Sequence, residues 1–178
     1  MDTLTAAEFK REQRGVLVAM GCALVLVVAV MAGVALRDHA TPVLMFTDRL
    51  KAVLCVDLFV VIWLAAAIGN VARYRFFSSQ DIAGSSSGSG SADVRQASAI
   101  LQNTLEQTVL AIFTHMVIVA TFDHSVALIT AMTCLFSAGR FLFWAGYRYG
   151  AKGRAFGFAM TFYPNVLGLL ACLAAMVI

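Results

Sequence analysis

Charged residues are scarce in this chain of 178 residues, at 13% of the sequence against about 25% in ordinary globular domains. Hydrophobic residues make up 61%, where such domains have about 45–50%. Five membrane spans of roughly 22 residues would use about 110 positions, which is nearly the whole hydrophobic fraction. The composition therefore argues against a soluble domain, a disordered chain and a protein that binds nucleic acid.

Closely spaced cysteines are also missing. The four cysteines lie far apart, each within an apolar run, and no Cys-x-x-Cys motif occurs. This pattern argues against a redox centre or a metal site and predicts four buried, reduced thiols. A cleavable signal peptide of the usual form is lacking too, because the charged N-terminal segment reaches Arg14 and the apolar run after it is too long.

Apolar runs predict an all-α integral membrane bundle of five transmembrane helices. The predicted spans are 15–36, 52–71, 97–122, 125–147 and 155–178. Thr5 and Glu8 have the spacing of a capping box, which predicts a short helix that continues into the first span. A polar loop is expected at 37–51. The segment 78–93 contains a run of glycine and serine, which is typical of a flexible linker.

The basic residues predict the orientation of these spans. With the N-terminus inside, nine lysines and arginines lie in inner segments and three in outer ones. The inner residues are Lys10, Arg11, Arg14, Arg73, Arg75, Arg95, Arg148, Lys152 and Arg154, and the outer residues are Arg37, Arg49 and Lys51. Because positive residues favour the cytoplasmic side, we expect the N-terminus inside and the C-terminus outside.

Four ionisable residues lie within the predicted spans, where charge is costly and often marks a functional site. At a rise of about 1.5 Å per residue, Glu106 and Arg140 reach similar depth in the inner half of the membrane. We predict that they form a buried ion pair. Asp57 and His115 reach similar depth in the outer half and form a possible second pair. Both pairs could fix helix register, or the four residues could relay protons in a small proton-coupled transporter.

Two motifs in the second half of the chain resemble a known family. Asn103-Thr-Leu-Glu106, with Phe113 further along, is similar to the polar N-x-x-E signature of the MAPEG family, the membrane-associated proteins in eicosanoid and glutathione metabolism. The run from Arg140 to Tyr147, followed by Arg154, resembles the R-x-x-Y-x-x-G-Y run of that family and its following arginine. The five-span layout also resembles the mattrin-like branch of the family.

This resemblance implies a division of the chain. Residues 1–14 would be an N-terminal segment on the cytosolic side, and 15–49 an extra first transmembrane helix with its loop. Residues 50–178 would form the four-helix membrane domain of the family, interrupted by the Gly/Ser loop at 78–93.

The resemblance further implies a homotrimer in membrane lipid that binds glutathione near the cytosolic face. Asn103, Glu106 and Tyr147 match positions that handle glutathione, and Arg154 matches the catalytic arginine that stabilises its thiolate. Arg73 or Arg75 could contact a glutathione carboxylate. The implied activity is a glutathione-dependent transferase or peroxidase that acts on a lipophilic electrophile or a lipid peroxide.

Four positions depart from the pattern of the family's enzymes. Polar residues of the family are replaced here by Ala99, Leu101, Gln107 and Phe143. Each lost charge-assisted hydrogen bond removes roughly 1.5–3 kcal/mol of binding free energy. The alternative to an enzyme is therefore a non-enzymatic membrane protein of the same fold that binds a lipid or modulates a partner.

Overall fold

The described part of the chain folds into five α-helices. A computed structural model describes residues 5–38, 42–84 and 90–177. The helices are α1 (Ala6–Asp38), α2 (Phe46–Phe76), α3 (Ala92–Thr121), α4 (Val126–Gly146) and α5 (Gly150–Val177), with a 3-10 turn at Tyr147–Tyr149 between the last two. No strand occurs in these ranges, so the prediction of an all-α chain is confirmed.

Helix length and apolarity support a membrane bundle but give a different count of spans. Four stretches are long and apolar enough to cross a membrane in the described part of the chain: Ala6–Arg37, Phe46–Phe76, Ala92–Thr121 and Val126–Val177. The last has 52 residues and contains α4, the 3-10 turn and α5. The sequence predicted five separate spans, and these criteria give four, because the segment between α4 and α5 continues the helical run instead of forming a loop.

The helices extend beyond the apolar runs from which they were predicted. Helix α2 begins at Phe46, within the segment 37–51 that was expected to be a loop. Backbone hydrogen bonding continues where hydropathy ends, so polar residues such as Arg49 are helical. At α1 the predicted capping box is confirmed, since the Thr5 backbone N–H donates to Glu8 at 2.9 Å and the Glu8 N–H donates to the Thr5 hydroxyl at 3.4 Å.

Hydrogen bonds to Asp81 connect the two described ends of the loop between α2 and α3. The Ser78 hydroxyl donates to Asp81 at 2.7 Å, and the Ser91 backbone N–H donates to the same carboxylate at 3.0 Å. These hydrogen bonds, first the one from Ser78, hold the pKa of Asp81 below its ordinary value. Residues 85–89, the middle of the predicted linker, lie outside the described residues.

Glycines bring α4 and α5 into backbone contact. A Cβ atom at Gly139 would lie 2.8 Å from the carbonyl oxygen of Gly157, and one at Gly153 would lie 2.6 Å from the carbonyl oxygen of Gly146. These two contacts also show that the helices run antiparallel. Small residues allow such an approach in membranes, where apolar surface alone does not drive helices together. Helix α1 packs along α5 and α4, with Ala23 and Val27 buried against Leu135 and Ala159.

The prediction of four buried thiols holds for Cys172 alone. Cys22, Cys55 and Cys134 are exposed on the helix surfaces of the single chain, and all four are free. An apolar run in a membrane protein can face lipid as well as protein, so an apolar setting in the sequence does not imply burial in the bundle.

We expect Gly157→Ala to destabilise the bundle. The added methyl group would lie 2.5 Å from the carbonyl oxygen of Gly139, and such overpacking costs about 1–3 kcal/mol. Gly69→Ala is the matched control, because a Cβ atom at that helical glycine meets nothing within 4 Å. Thermal unfolding in detergent measures both changes. Equal midpoints for the two variants would contradict the close packing of α4 on α5.

Candidate functional site

Three of the residues implicated by the sequence line one pocket of about 350 Å³. They are Asn103 on α3, Tyr147 in the 3-10 turn and Arg154 on α5. The chain positions 103 and 154 come together because α5 folds back along α4 and also contacts α3. The other lining residues are Val16, Met20, Ala99, Phe143, Ala151, Ala155 and Phe158.

The Arg154 guanidinium is held against an aromatic pair. Its central carbon lies 4.6 Å from the centroid of the Tyr147 ring, within the range of a cation–π interaction. The Tyr147 ring in turn meets Phe143 edge-on, with the centroids 5.6 Å apart. Arg154 also lies one turn after the N-terminus of α5, whose first N–H groups and positive dipole end favour negative charge nearby. The pocket is therefore suited to an anion.

The Asn103 side chain is hydrogen-bonded to Arg140, a buried arginine behind the pocket. Arg140 has no exposed surface, and it donates one hydrogen bond to the Asn103 amide oxygen at 2.9 Å and another to the Thr161 hydroxyl at 2.6 Å. Its guanidinium carbon lies 5.7 Å from the Phe136 ring centroid and 4.7 Å from that of Phe143.

The predicted Glu106–Arg140 ion pair is wrong. Glu106 is exposed and accepts a hydrogen bond from Gln102 at 2.9 Å, while Arg140 is bonded to Asn103 and Thr161. Residues three apart on a helix differ by about 60° in direction. That difference turns Asn103 into the bundle and Glu106 out of it, although both lie at the depth that the sequence predicted. Glu106 does not line the pocket.

Arg73 and Arg75 lie at the C-terminal end of α2 and do not line the pocket either. Arg73 donates to the Asn70 side chain at 3.1 Å and lies 4.6 Å from the centroid of the Tyr74 ring. The charge of Arg75 contributes to the lowered pKa of Asp81. Within one chain, these arginines are thus engaged near their own helix end.

Two of the four departures from the family's pattern lie in the pocket wall. Ala99 and Phe143 line it, whereas Leu101 and Gln107 do not. Gln107 is buried in the bundle instead. The pocket consequently has an apolar wall at positions where the family's enzymes carry polar groups.

The predicted contact between Asp57 and His115 is present. The carboxylate oxygen and the imidazole Nδ1 are 2.6 Å apart, and both side chains are buried. One apolar cluster with Val53 and Ile118 lies towards one end of the helices. Another, formed by Val60, Ala111 and Phe136, lies on the side of Arg140.

These apolar layers bear on the proton-relay hypothesis. Val60 follows Asp57 by one turn of α2, and Phe136 precedes Arg140 by one turn of α4. The layer therefore separates the Asp57–His115 pair from the polar network of Arg140. This separation favours a role in helix register over proton transfer between the two sets.

The sequence did not indicate that α1 forms part of the site. Val16 and Met20 line the pocket, and α1 also forms a larger groove of about 660 Å³ beside it. The groove is lined by Phe9, Glu12, Gln13, Val16, Leu17, Gly150 and Ala151. Val16 and Ala151 belong to both, so the groove adjoins the pocket. Glu12 and Lys152, 3.3 Å apart, join α1 to α5 at this level.

One signal in the sequence could have pointed to α1. Val16, Met20, Ala23 and Val27 repeat at spacings of four and three residues, which is a helix stripe that packs against a neighbour. Because α1 is apolar on every face of its middle part, that stripe does not stand out from its surroundings.

Residues 52–174 match the family model of the MAPEG family. Comparisons with curated proteins and with solved structures gave no match. The matched region begins in α2, ends in α5 and contains Asn103, Tyr147 and Arg154, while α1 precedes it. The match covers more than two thirds of the chain, and the resemblance first seen in two short motifs extends over four helices. The chain belongs to the MAPEG family, the membrane-associated proteins in eicosanoid and glutathione metabolism.

Proposed function

We propose that this protein is a membrane-embedded, glutathione-dependent transferase or peroxidase that acts on a lipophilic electrophile or a lipid peroxide. The observation that carries the proposal is the meeting of Asn103, Tyr147 and Arg154 in one pocket. These residues come from separate parts of the chain and match the positions that the family resemblance assigns to glutathione.

The pocket offers what a thiolate requires. A free thiol has a pKa of about 8.5, and a nearby arginine and a helix N-terminus both lower such values. Arg154 supplies a fixed guanidinium, held by the Tyr147 ring, and α5 supplies the positive end of its dipole. Met20 and Phe158 add apolar side chains to the pocket wall, and a lower local dielectric strengthens these interactions. Glutathione would supply the nucleophilic sulfur.

The adjoining groove supports a lipophilic second substrate. Its walls are mostly apolar, and Phe9 and Leu17 are 52% and 68% exposed there. Because Val16 and Ala151 line both spaces, a fatty chain in the groove would have its end at the pocket of Arg154.

We also propose that the protein works as a homotrimer in membrane lipid. Glu106 is exposed within the candidate span of α3, beside the exposed side chains of Val109 and Phe113. A carboxylate that faces lipid is costly, and a neighbouring copy would cover it. Since Arg73 lies away from the pocket of its own chain, a contact with a glutathione carboxylate would have to come from a neighbouring copy.

In the proposed topology each of the five helices crosses the membrane, with the N-terminus inside and the C-terminus outside. The antiparallel contact of α4 and α5 supports two crossings within the stretch from Val126 to Val177. The basic segment between them then lies on the cytosolic side, at the level of Arg154.

The second candidate is a non-enzymatic member of the family that binds a lipid or modulates a partner. Ala99 and Phe143 in the pocket wall favour it, since each removes a polar contact that the family's enzymes use. Binding of the glutathione thiolate separates the two candidates.

At saturating glutathione, we expect the wild-type protein to show the ultraviolet absorption band of a bound thiolate. Arg154→Lys should shrink or abolish the band, because an ammonium lacks the planar donor fork of arginine. Arg148→Lys is the matched control: it is an exposed arginine of the same segment that lies 4.7 Å from the Tyr149 ring and does not line the pocket. If the wild type shows no band, the non-enzymatic candidate takes the place of the enzyme.

Leu17→Trp should raise the KM for a long-chain electrophile several-fold and leave the KM for glutathione unchanged, because the larger ring fills the groove. Val18→Trp should change neither value. The two side chains are adjacent and equally exposed, at 68% and 67%, but only Leu17 lines the groove. Steady-state kinetics with both substrates measure the effect, and similar kinetics in the two variants would contradict a role for the groove.

The orientation can be tested at Gln80, which is exposed in the turn after α2. In a background without the four native cysteines, Gln80→Cys should react with a membrane-impermeant maleimide only from the cytosolic side. Reaction from the opposite side alone would reverse the orientation and place Arg154 at the other face of the membrane.

A further inference from the structure

Arg140 is the largest fully buried side chain among the residues that the structure describes. It lies in α4, within the candidate span Val126–Val177. Among the residues that the structure describes, its partners are an amide, a hydroxyl and two aromatic rings, and none of the ion pairs includes it. A buried cation without a counter-charge is costly, and such a residue within a membrane span is a candidate for function.

The hydrogen bonds around Arg140 have a fixed direction. A guanidinium has donors only, so the Asn103 oxygen must face it, at 2.9 Å. The Thr161 hydroxyl donates to the Phe158 carbonyl at 2.8 Å, which leaves its oxygen to accept from Arg140 at 2.6 Å. Both terminal nitrogens of the guanidinium therefore have a hydrogen-bond partner. The Asn103 amide cannot rotate without losing its hydrogen bond to Arg140.

This direction decides what Asn103 offers to the pocket. Its oxygen faces Arg140, so its NH2 group lies on the other side of the amide, and Asn103 lines the pocket of Arg154. The Asn103 NH2 group thus offers the pocket a hydrogen-bond donor, and the positive charge of Arg140 lies one hydrogen bond away. In surroundings of low dielectric such a charge acts strongly.

Close packing of α4 on α5 makes the arrangement possible. A Cβ atom at Gly139, next to Arg140 in the chain, would lie 2.7 Å from the Thr161 methyl group. Only a glycine at this position lets α4 approach near enough for Arg140 to reach Thr161.

We infer that Arg140 is a positioning residue: it fixes the Asn103 amide with its NH2 group towards the pocket and so selects a ligand that places a carboxylate at Asn103. The inference rests on the proposed function in that glutathione would supply this carboxylate, while Arg154 holds the thiolate. The orientation of Asn103 by Arg140 does not itself depend on which anion binds.

The first test needs no ligand. Asn103→Asp places a carboxylate against Arg140 and should raise the thermal midpoint, because the buried guanidinium gains its counter-charge. Asn103→Leu should lower the midpoint, because it leaves the guanidinium without that partner. In an Arg140→Gln background the rise from Asn103→Asp should disappear. If that double variant does not fold, the opposite signs of the two single variants still decide. A lowered midpoint for Asn103→Asp would overturn the inference.

The second test compares glutathione with its diethyl ester, which keeps the thiol and lacks both carboxylate charges. The wild type should prefer glutathione by about tenfold or more, the value of one charge-assisted hydrogen bond. Arg140→Lys, which keeps the charge and loses the fork, should reduce the preference. Asn103→Asp should abolish it, because two carboxylates repel.

The outcomes separate this inference from the proposed function. A thiolate band in the wild type without any preference over the ester would keep the function and overturn the role of Arg140. An absent band together with a raised midpoint for Asn103→Asp would overturn the function and keep the role of Arg140.

Discussion

The contact between α4 and α5 at their glycines is the constraint on which the rest of the structure depends. Lipid offers no hydrophobic gain for joining two apolar helices, so close packing and buried hydrogen bonds must hold them. Gly139, Gly146, Gly153 and Gly157 provide the packing, and Arg140 and Thr161 provide a hydrogen bond across the contact. The same approach brings Tyr147 beneath Arg154. The contact between α4 and α5 thus both stabilises the bundle and forms the candidate site.

Two of the buried polar sites, Asp57 with His115 and Arg140 with its partners, differ in how the charged side chain is accommodated. Asp57 and His115 lie 2.6 Å apart, between apolar layers, so each of these buried side chains has a polar partner within the chain. Arg140 has hydrogen bonds and aromatic neighbours but no carboxylate among the described residues. The first arrangement is typical of a structural pair. The second retains positive charge beside a pocket, and this charge is better explained by an anionic ligand than by stability alone.

The sequence predicted the parts of the site that follow from depth and motif. The rise of a helix placed Asp57 level with His115, and motif spacing identified Asn103, Tyr147 and Arg154. The sequence-based prediction failed for Glu106, because depth in the membrane does not determine which way a side chain faces. A rotation of about 60° around the helix axis separates Glu106 from Asn103. The prediction also missed the Asp81 hydrogen bonds at the ends of the Gly/Ser segment, because composition does not reveal which loop residues pair across a gap.

The first helix lies outside the family match, yet it contributes to the candidate site. Residues 52–174 supply Asn103, Tyr147 and Arg154, so the groups that handle charge all come from the family's part of the chain. Val16 and Met20 of α1 supply apolar wall, and α1 forms most of the adjoining groove. On the proposed function, the two substrates are thus recognised by different parts of the chain. Changes in α1 would then alter the choice of lipophilic substrate without disturbing the residues around the thiolate, which is how an added helix can give new specificity to an inherited site.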